Sequence, residues 1–364
     1  MIEVKGLCFE RNSRIILNNI NLTVNDGEVV GIVGPSGCGK SFLLRSIIEL
    51  EKADSGLVLI DGDKLKRTKN GDLIDPGKIG LVFQYFNLFN HLSVLENVTS
   101  PLIDLCNMDK HEAIDKAKSI LSSIGLAEHC YSYPESLSGG QKQRAAIART
   151  LALDPDIILF DEPTSSLDPL MKGEVESVIR MLASQGRTMI IVSHEMELIR
   201  SVCSRVLFMS NGAIIEDGTT REVFDNPKNI ETKRFLKNLR VLELSIESKD
   251  FDFIGISTII NQYVFKNGIS DGLRNRLSAV LEELLQMIII QPAEENRMNI
   301  SFEYNRANLN INGIVKCTGP YIDPDDPVNF FSWPIIAKRA TKISLEMLEN
   351  DPDGYTNLIK IALK

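Results

Sequence analysis

The run Gly34-Pro35-Ser36-Gly37-Cys38-Gly39-Lys40-Ser41 has the G-x-x-x-x-G-K-S spacing of a loop that wraps phosphate groups. Glycines let backbone N–H groups approach phosphate oxygens without a Cβ clash. Lys40 adds a mobile cation for the β and γ phosphates, and Ser41 offers a hydroxyl to Mg²⁺. Downstream, Asp161 and Glu162 place two adjacent carboxylates at the end of an apolar run. Asp161 suits the water shell of Mg²⁺, which takes few carboxylates. Glu162 suits a general base that polarises water. His194, one of four histidines, follows another apolar run and is a candidate for the same site.

Those side chains need particular elements to hold them. Val29 to Val33 reads as a buried parallel strand, and Leu43, Leu44, Ile47 and Ile48 form a helical stripe, so the loop joins a strand to a helix N-terminus that favours anions. Asp156 to Phe160 and Thr188 to Ser193 read as further buried strands. Their ends would bring Asp161, Glu162 and His194 to one edge of a parallel sheet, where ligands of open α/β folds collect.

With Leu137-Ser138-Gly139-Gly140-Gln141 added, residues 1–240 resemble the nucleotide-binding subunit of an ATP-binding-cassette transporter. The resemblance implies an α/β P-loop NTPase with a RecA-like core, an antiparallel β subdomain and a helical subdomain. It implies ATP and Mg²⁺ as cofactors, ATP hydrolysis coupled to transport, and nucleotide contacts from residues 34–42. It makes Gln84, at the end of Ile79 to Phe83, the glutamine that touches Mg²⁺ and reports to a membrane partner. Ser165 to Asp168 resembles the loop that crosses the dimer interface. Ser138, Gly140 and Gln141 would close over ATP held by a second cassette, so a homodimer or paired cassette is implied.

Between Gln84 and Leu137, Asp109 and Glu112 have capping-box spacing, and Ala113, Ala117, Ile120, Leu121 and Ile124 share a helical face. The segment Tyr85 to Val98 resembles polar amino acid importers, with Asn90 where the usual pattern has proline. That implies a transmembrane permease and, indirectly, an extracytoplasmic solute-binding protein, with the chain on the cytoplasmic face of the membrane. Tyr85, Phe86 and Phe89 are read as a partner-facing patch, with a core role as the alternative. Two residues depart from the family. Phe42 replaces a threonine that contacts the α phosphate, and Arg11 stands where an aromatic stacks on adenine, a role an arginine plane can also fill.

Composition bounds the rest. The 364 residues are 43% hydrophobic and 24% charged, enough for about two domains. No run reaches the roughly 18 apolar residues of a membrane span, and the start lacks the features of a secretion leader. A net charge of −9 gives no electrostatic reason to expect nucleic acid. Six scattered cysteines fit a reducing compartment. Cys38, beside Lys40 and a helix start, is expected to be either an acidic, oxidation-sensitive thiol or an inert loop filler.

Residues 241–364 are expected to form an α+β accessory domain. Leu273, Leu277, Val280, Leu281, Leu284, Leu285 and Ile288 keep helical spacing. Strands are expected at Met298 to Tyr304, Leu309 to Val315 and Asn357 to Leu363. This order is similar to the small anti-sigma-factor form of the histidine-kinase-like fold. Met287, Cys317 and Ser332-Trp333-Pro334 replace its metal-binding, adenine-reading and glycine-rich features, which implies a domain without nucleotide. A ferredoxin-like regulatory domain is the alternative. Asp323, Asp325 and Asp326 read as a solvated acidic loop rather than a metal site. A transporter motor, a soluble mechanical ATPase and a signalling protein acting through the tail remain open on sequence alone, the first being preferred.

Overall fold

The computed structural model describes residues 1–66, 75, 77–248, 251–290, 297–323, 332–349 and 351–364. They form two compact units, Met1–Lys233 and Arg234–Lys364.

The first unit runs β1 (Ile2–Arg11), β2 (Arg14–Val24), β3 (Val29–Val33), α1 (Lys40–Ile47), β4 (Ser55–Ile60) and β5 (Ile79–Val82). Three helices follow: α2 (Val94–Asp104), α3 (Lys110–Ser123) and α4 (Gly139–Ala152). Then come β6 (Ile157–Asp161), α5 (Pro169–Ser184), β7 (Thr188–Val192), α6 (Met196–Val202), β8 (Arg205–Ser210), β9 (Ala213–Thr219) and α7 (Thr220–Asp225). The helix α8 (Ile230–Leu236) carries the chain into the second unit.

Every residue of β3, β6 and β7 is buried, as expected of parallel strands covered on both faces. They lie in a six-stranded sheet of order β5-β6-β7-β3-β8-β9. All of its neighbours pair in parallel except β8 and β9. Consequently the ends of β3, β5, β6 and β7 bring the phosphate loop, Gln84, Glu162 and His194 to one edge. An antiparallel sheet of order β2-β1-β4 shares a core with the large one, through Ile2, Val4 and Leu17 on one side and Ile32, Leu159 and Leu207 on the other.

In the helical segment Asp109 caps α3 by accepting from the His111 and Glu112 N–H groups, and Ala113, Ala117 and Leu121 form its buried face. Ser93 and Ser138 each make a full capping box, with Glu96 and Gln141 respectively. These reciprocal bonds fix the start of α2 and α4.

The second unit contains β10 (Leu239–Ile246), α9 (Phe253–Asn267), α10 (Asp271–Ile290), β11 (Met298–Asn305), β12 (Asn310–Cys317), α11 (Ser332–Arg339), β13 (Lys342–Met347) and β14 (Asn357–Leu363). Its sheet is antiparallel throughout, in the order β10-β11-β12-β14-β13. Alternation buries one face, with Leu242, Ile300, Phe302, Ile359 and Ile361 packed with the α10 stripe Leu277, Val280, Leu281 and Leu284. Glu243, Asn299, Asn312 and Lys360 lie exposed at the intervening positions. Met287 and Cys317 belong to this core, and Ser332-Trp333-Pro334 is the first turn of α11. Leu309, the expected first residue of the second expected strand, instead sits in the turn before β12 at φ 51°. Asp325 and Asp326 lie outside the described residues.

Candidate active site

A cavity of about 750 Å³ opens over the phosphate loop. Residues 35–42, Gln84, Glu162 and His194 line it. Its shape depends on two glycines. Gly34 lies at φ 151°, and a Cβ there would meet the Met209 carbonyl oxygen at 2.1 Å. Gly39 caps α1 at φ 105°, and its Cβ would lie 2.5 Å from the Ile16 carbonyl oxygen. No other residue type fits either position, because both the backbone angle and the space exclude a side chain.

Lys40 is almost wholly buried and donates from Nζ to the carbonyls of Gly34 and Pro35, both at 2.9 Å. The loop thus satisfies its own cation. Phosphate oxygens offer charge-assisted bonds in place of these two neutral acceptors.

Ser41 Oγ donates to Asp161 Oδ1 at 2.6 Å. Asp161 has no solvent exposure, and its Oδ2 has no hydrogen bond, with only Arg45 Nη2 facing it at 3.6 Å. Burial raises the Asp161 pKa, against the lowering effects of Ser41 and Arg45. A buried carboxylate with an orphaned oxygen beside a hydroxyl fits a hydrated Mg²⁺, which needs few protein oxygens. Ser41, Asp161 and Gln84 would hold it. Among the described residues no cluster of three or more His, Cys, Asp or Glu side chains could hold a metal ion.

Glu162 adopts φ 48°, unusual for a side-chain-bearing residue, and is fixed there by its N–H donating to the Val192 carbonyl at 2.9 Å. Its carboxylate Oε1 lies 2.9 Å from His194 Nε2. The hydrogen bond from His194 holds the Glu162 carboxyl below the usual glutamate range. Glu162 therefore stays ionised and aimed, as a general base must.

Arg11, Cys38 and Phe42 take distinct places around the cavity. Arg11 does not line the cavity; it is the last residue of β1, exposed, and pairs with Arg14 across the Asn12-Ser13 turn. Because β2 is the sheet edge beside α1 and β9, it is Arg14, Ile15 and Ile16 that reach the cavity. The acidic-thiol reading of Cys38 also fails. The residue is buried, and loss of hydration pushes its pKa up more than Lys40, 4.0 Å away, pulls it down. Finally, Phe42 lines the cavity and also packs its ring 5.2 Å from that of Phe9, so the larger side chain fills a gap in the core.

Ser210, Asn211 and Gly212 complete the cavity and were not singled out by sequence reading. The available signal was the Asn-Gly pair after a buried strand, since both residues take positive φ in the tight turn between β8 and β9. Ser138, Gly140 and Gln141 stand at the start of α4 and do not line this cavity.

A family model described as ABC transporter matches residues 17–165. An arginine transport ATP-binding protein of Bacillus subtilis is 45% identical over 239 residues, covering 66% of this chain and 100% of the relative. A glutamine transport ATP-binding protein of Escherichia coli is 44% identical over 239 residues, again 66% of this chain and 100% of the relative. Among solved structures, a dimeric post-hydrolysis state of an ATP-binding cassette bound to ADP and Pi aligns with a TM-score of 0.54 at 35% identity, over 61% of this chain and 99% of that one.

Proposed function

The chain belongs to the ABC transporter family as an ATP-hydrolysing subunit, and from that premise we propose how its residues divide the work and what the subunit serves. Lys40 leaves the Gly34 and Pro35 carbonyls for the β and γ phosphates, while the N–H groups of residues 36–42 surround the phosphate oxygens. Ser41, Asp161 and Gln84, partly through water, would hold Mg²⁺, which would supply positive charge against the phosphates. Glu162 accepts a proton from the attacking water, and His194 keeps the carboxylate aimed. Arg14 and Ile16 flank the base in place of Arg11.

Two cassettes pair head to tail, with Ser138, Gly140 and Gln141 of one over the nucleotide of the other, α4 presenting its N-terminus to the γ phosphate. The subunit powers import of a polar amino acid through a separate permease fed by a solute-binding protein. Relatives with those substrates support this, as do the exposed Tyr85 and Phe89, which suit a protein partner. Attachment at the cytoplasmic face runs through the permease; among the described residues no helix is long and apolar enough to cross a membrane. Residues 241–364 form the accessory, regulatory part.

The observation that carries this reading is the convergence of Lys40, the Ser41–Asp161 pair and the Glu162–His194 pair on one sheet edge. Its test is a pull-down of Glu162→Gln protein from gently solubilised cells with ATP and Mg²⁺. A multi-span permease with a solute-binding protein is expected. Reproducible recovery of soluble regulators alone would refute the importer reading and favour a signalling ATPase acting through the second unit.

A further inference from the structure

The segment that follows Gln84 is tied to α4 by bonds that the catalytic roles above do not use. Gln143 is completely buried and donates from Nε2 to the Phe83 carbonyl at 3.3 Å, while its Oε1 has no partner. Six residues on, Arg149 donates from Nη1 to the Asn87 carbonyl at 2.6 Å and from Nη2 to the Phe86 carbonyl at 3.5 Å. Its guanidinium also lies 5.6 Å from the centre of the Phe89 ring. Among the described residues no carboxylate pairs with Arg149, so its planar fork serves backbone carbonyls and a ring.

The tied carbonyls bracket Gln84, which lines the cavity, and Tyr85, which is 69% exposed. From the far side, Asn97 of α2 accepts from the Phe89 N–H and donates to the Phe89, Leu92 and Ser93 carbonyls. Residues 83–93 are thus gripped by two helices while two aromatic side chains point outward. The other end of α4 carries Ser138, fixed by its capping box.

We propose that Gln143 and Arg149 are positioning residues that lock the segment behind Gln84 to α4, so that nucleotide capture at the Ser138 end is transmitted to the exposed surface at residues 85–92. A helix is stiff along its axis, and Arg149 stands eleven residues from Ser138, about 16 Å at 1.5 Å per residue. The covalent path through Gln84 and the path through α4 then move Tyr85 and Phe89 together. This inference rests on the nucleotide roles proposed above.

The test is amide hydrogen exchange on the full-length Glu162→Gln protein, with and without ATP and Mg²⁺, followed over residues 34–42, 84–92 and 138–145. ATP is expected to slow exchange in all three by about tenfold or more. Adding Arg149→Gln should preserve slowing at 34–42 and 138–145 and remove most of it at 84–92. Arg149→Lys, which keeps the charge without the fork, should restore part. Equal slowing at 84–92 with and without Arg149→Gln would overturn the inference. Should that variant melt early, Gln143→Leu, which removes one neutral bond, is read by the same criterion. No slowing at 34–42 in the starting protein would refute the nucleotide site itself, and this inference with it.

Discussion

Replacing Glu162 by glutamine isolates the proton-accepting step. The amide keeps the length and shape of the side chain, can still accept from His194 at the observed 2.9 Å, and leaves the Ser41–Asp161 contact untouched. Lys40 and the loop N–H groups are likewise unchanged, so nucleotide affinity should remain within about threefold, or roughly 0.7 kcal/mol. What disappears is the carboxylate that takes a proton from water. Positioned general bases contribute typically 10²–10⁴-fold, which corresponds to a barrier increase of about 2.7–5.4 kcal/mol at 1.36 kcal/mol per decade. Single-turnover release of phosphate, with nucleotide binding titrated separately on the same protein, reads the two quantities apart. Loss confined to the chemical step is expected. A turnover within threefold of the wild type would refute the base assignment, and a loss carried mainly by weaker binding would refute the geometry behind it.

Three further outcomes follow from the packing. Phe42→Thr should lose the ring pair with Phe9, a loss of about 0.5–1.5 kcal/mol in denaturant unfolding, while ATP binding measured by titration stays equal or tightens because a hydroxyl now faces the phosphates. Gly313→Ala would place a Cβ 2.3 Å from Phe302 Cε1 on a ring with no exposure; overpacking of about 1–3 kcal/mol should appear as earlier melting, with unaltered nucleotide binding. A maleimide at neutral pH should react first at the exposed Cys106 rather than at the buried Cys38, so Cys106→Ser abolishes the fast phase in mass spectra without loss of ATPase activity.

The cassette was largely legible because its chemistry is local. The phosphate loop, the Asp161-Glu162 pair and His194 each terminate or follow an apolar run; a parallel sheet puts such ends along one edge, and the order β6-β7-β3 makes these three neighbours. Arg11 lies outside the cavity lining, and which strand of the hairpin borders the cavity is decided by the edge placement of β2, which no local residue pattern reveals. At Cys38 the inert-filler alternative stands over the acidic one for a related reason. Proximity to Lys40 and a helix start is visible in sequence, whereas the burial that outweighs them is tertiary. In the second unit, α10 and three strands announced themselves by clean periodicity. Its edge strand β13 did not, since only half-buried Ile343, Ser344 and Leu345 lie between exposed ends and leave a weak pattern.

Lys40's grip on the carbonyls of Gly34 and Pro35 means that the cation is already in place before any ligand arrives. Its long, flexible stem is tethered at the loop rather than roaming in solvent. Phosphate entry is then an exchange of two neutral acceptors for charged ones, made by a side chain that has little conformational freedom left to lose.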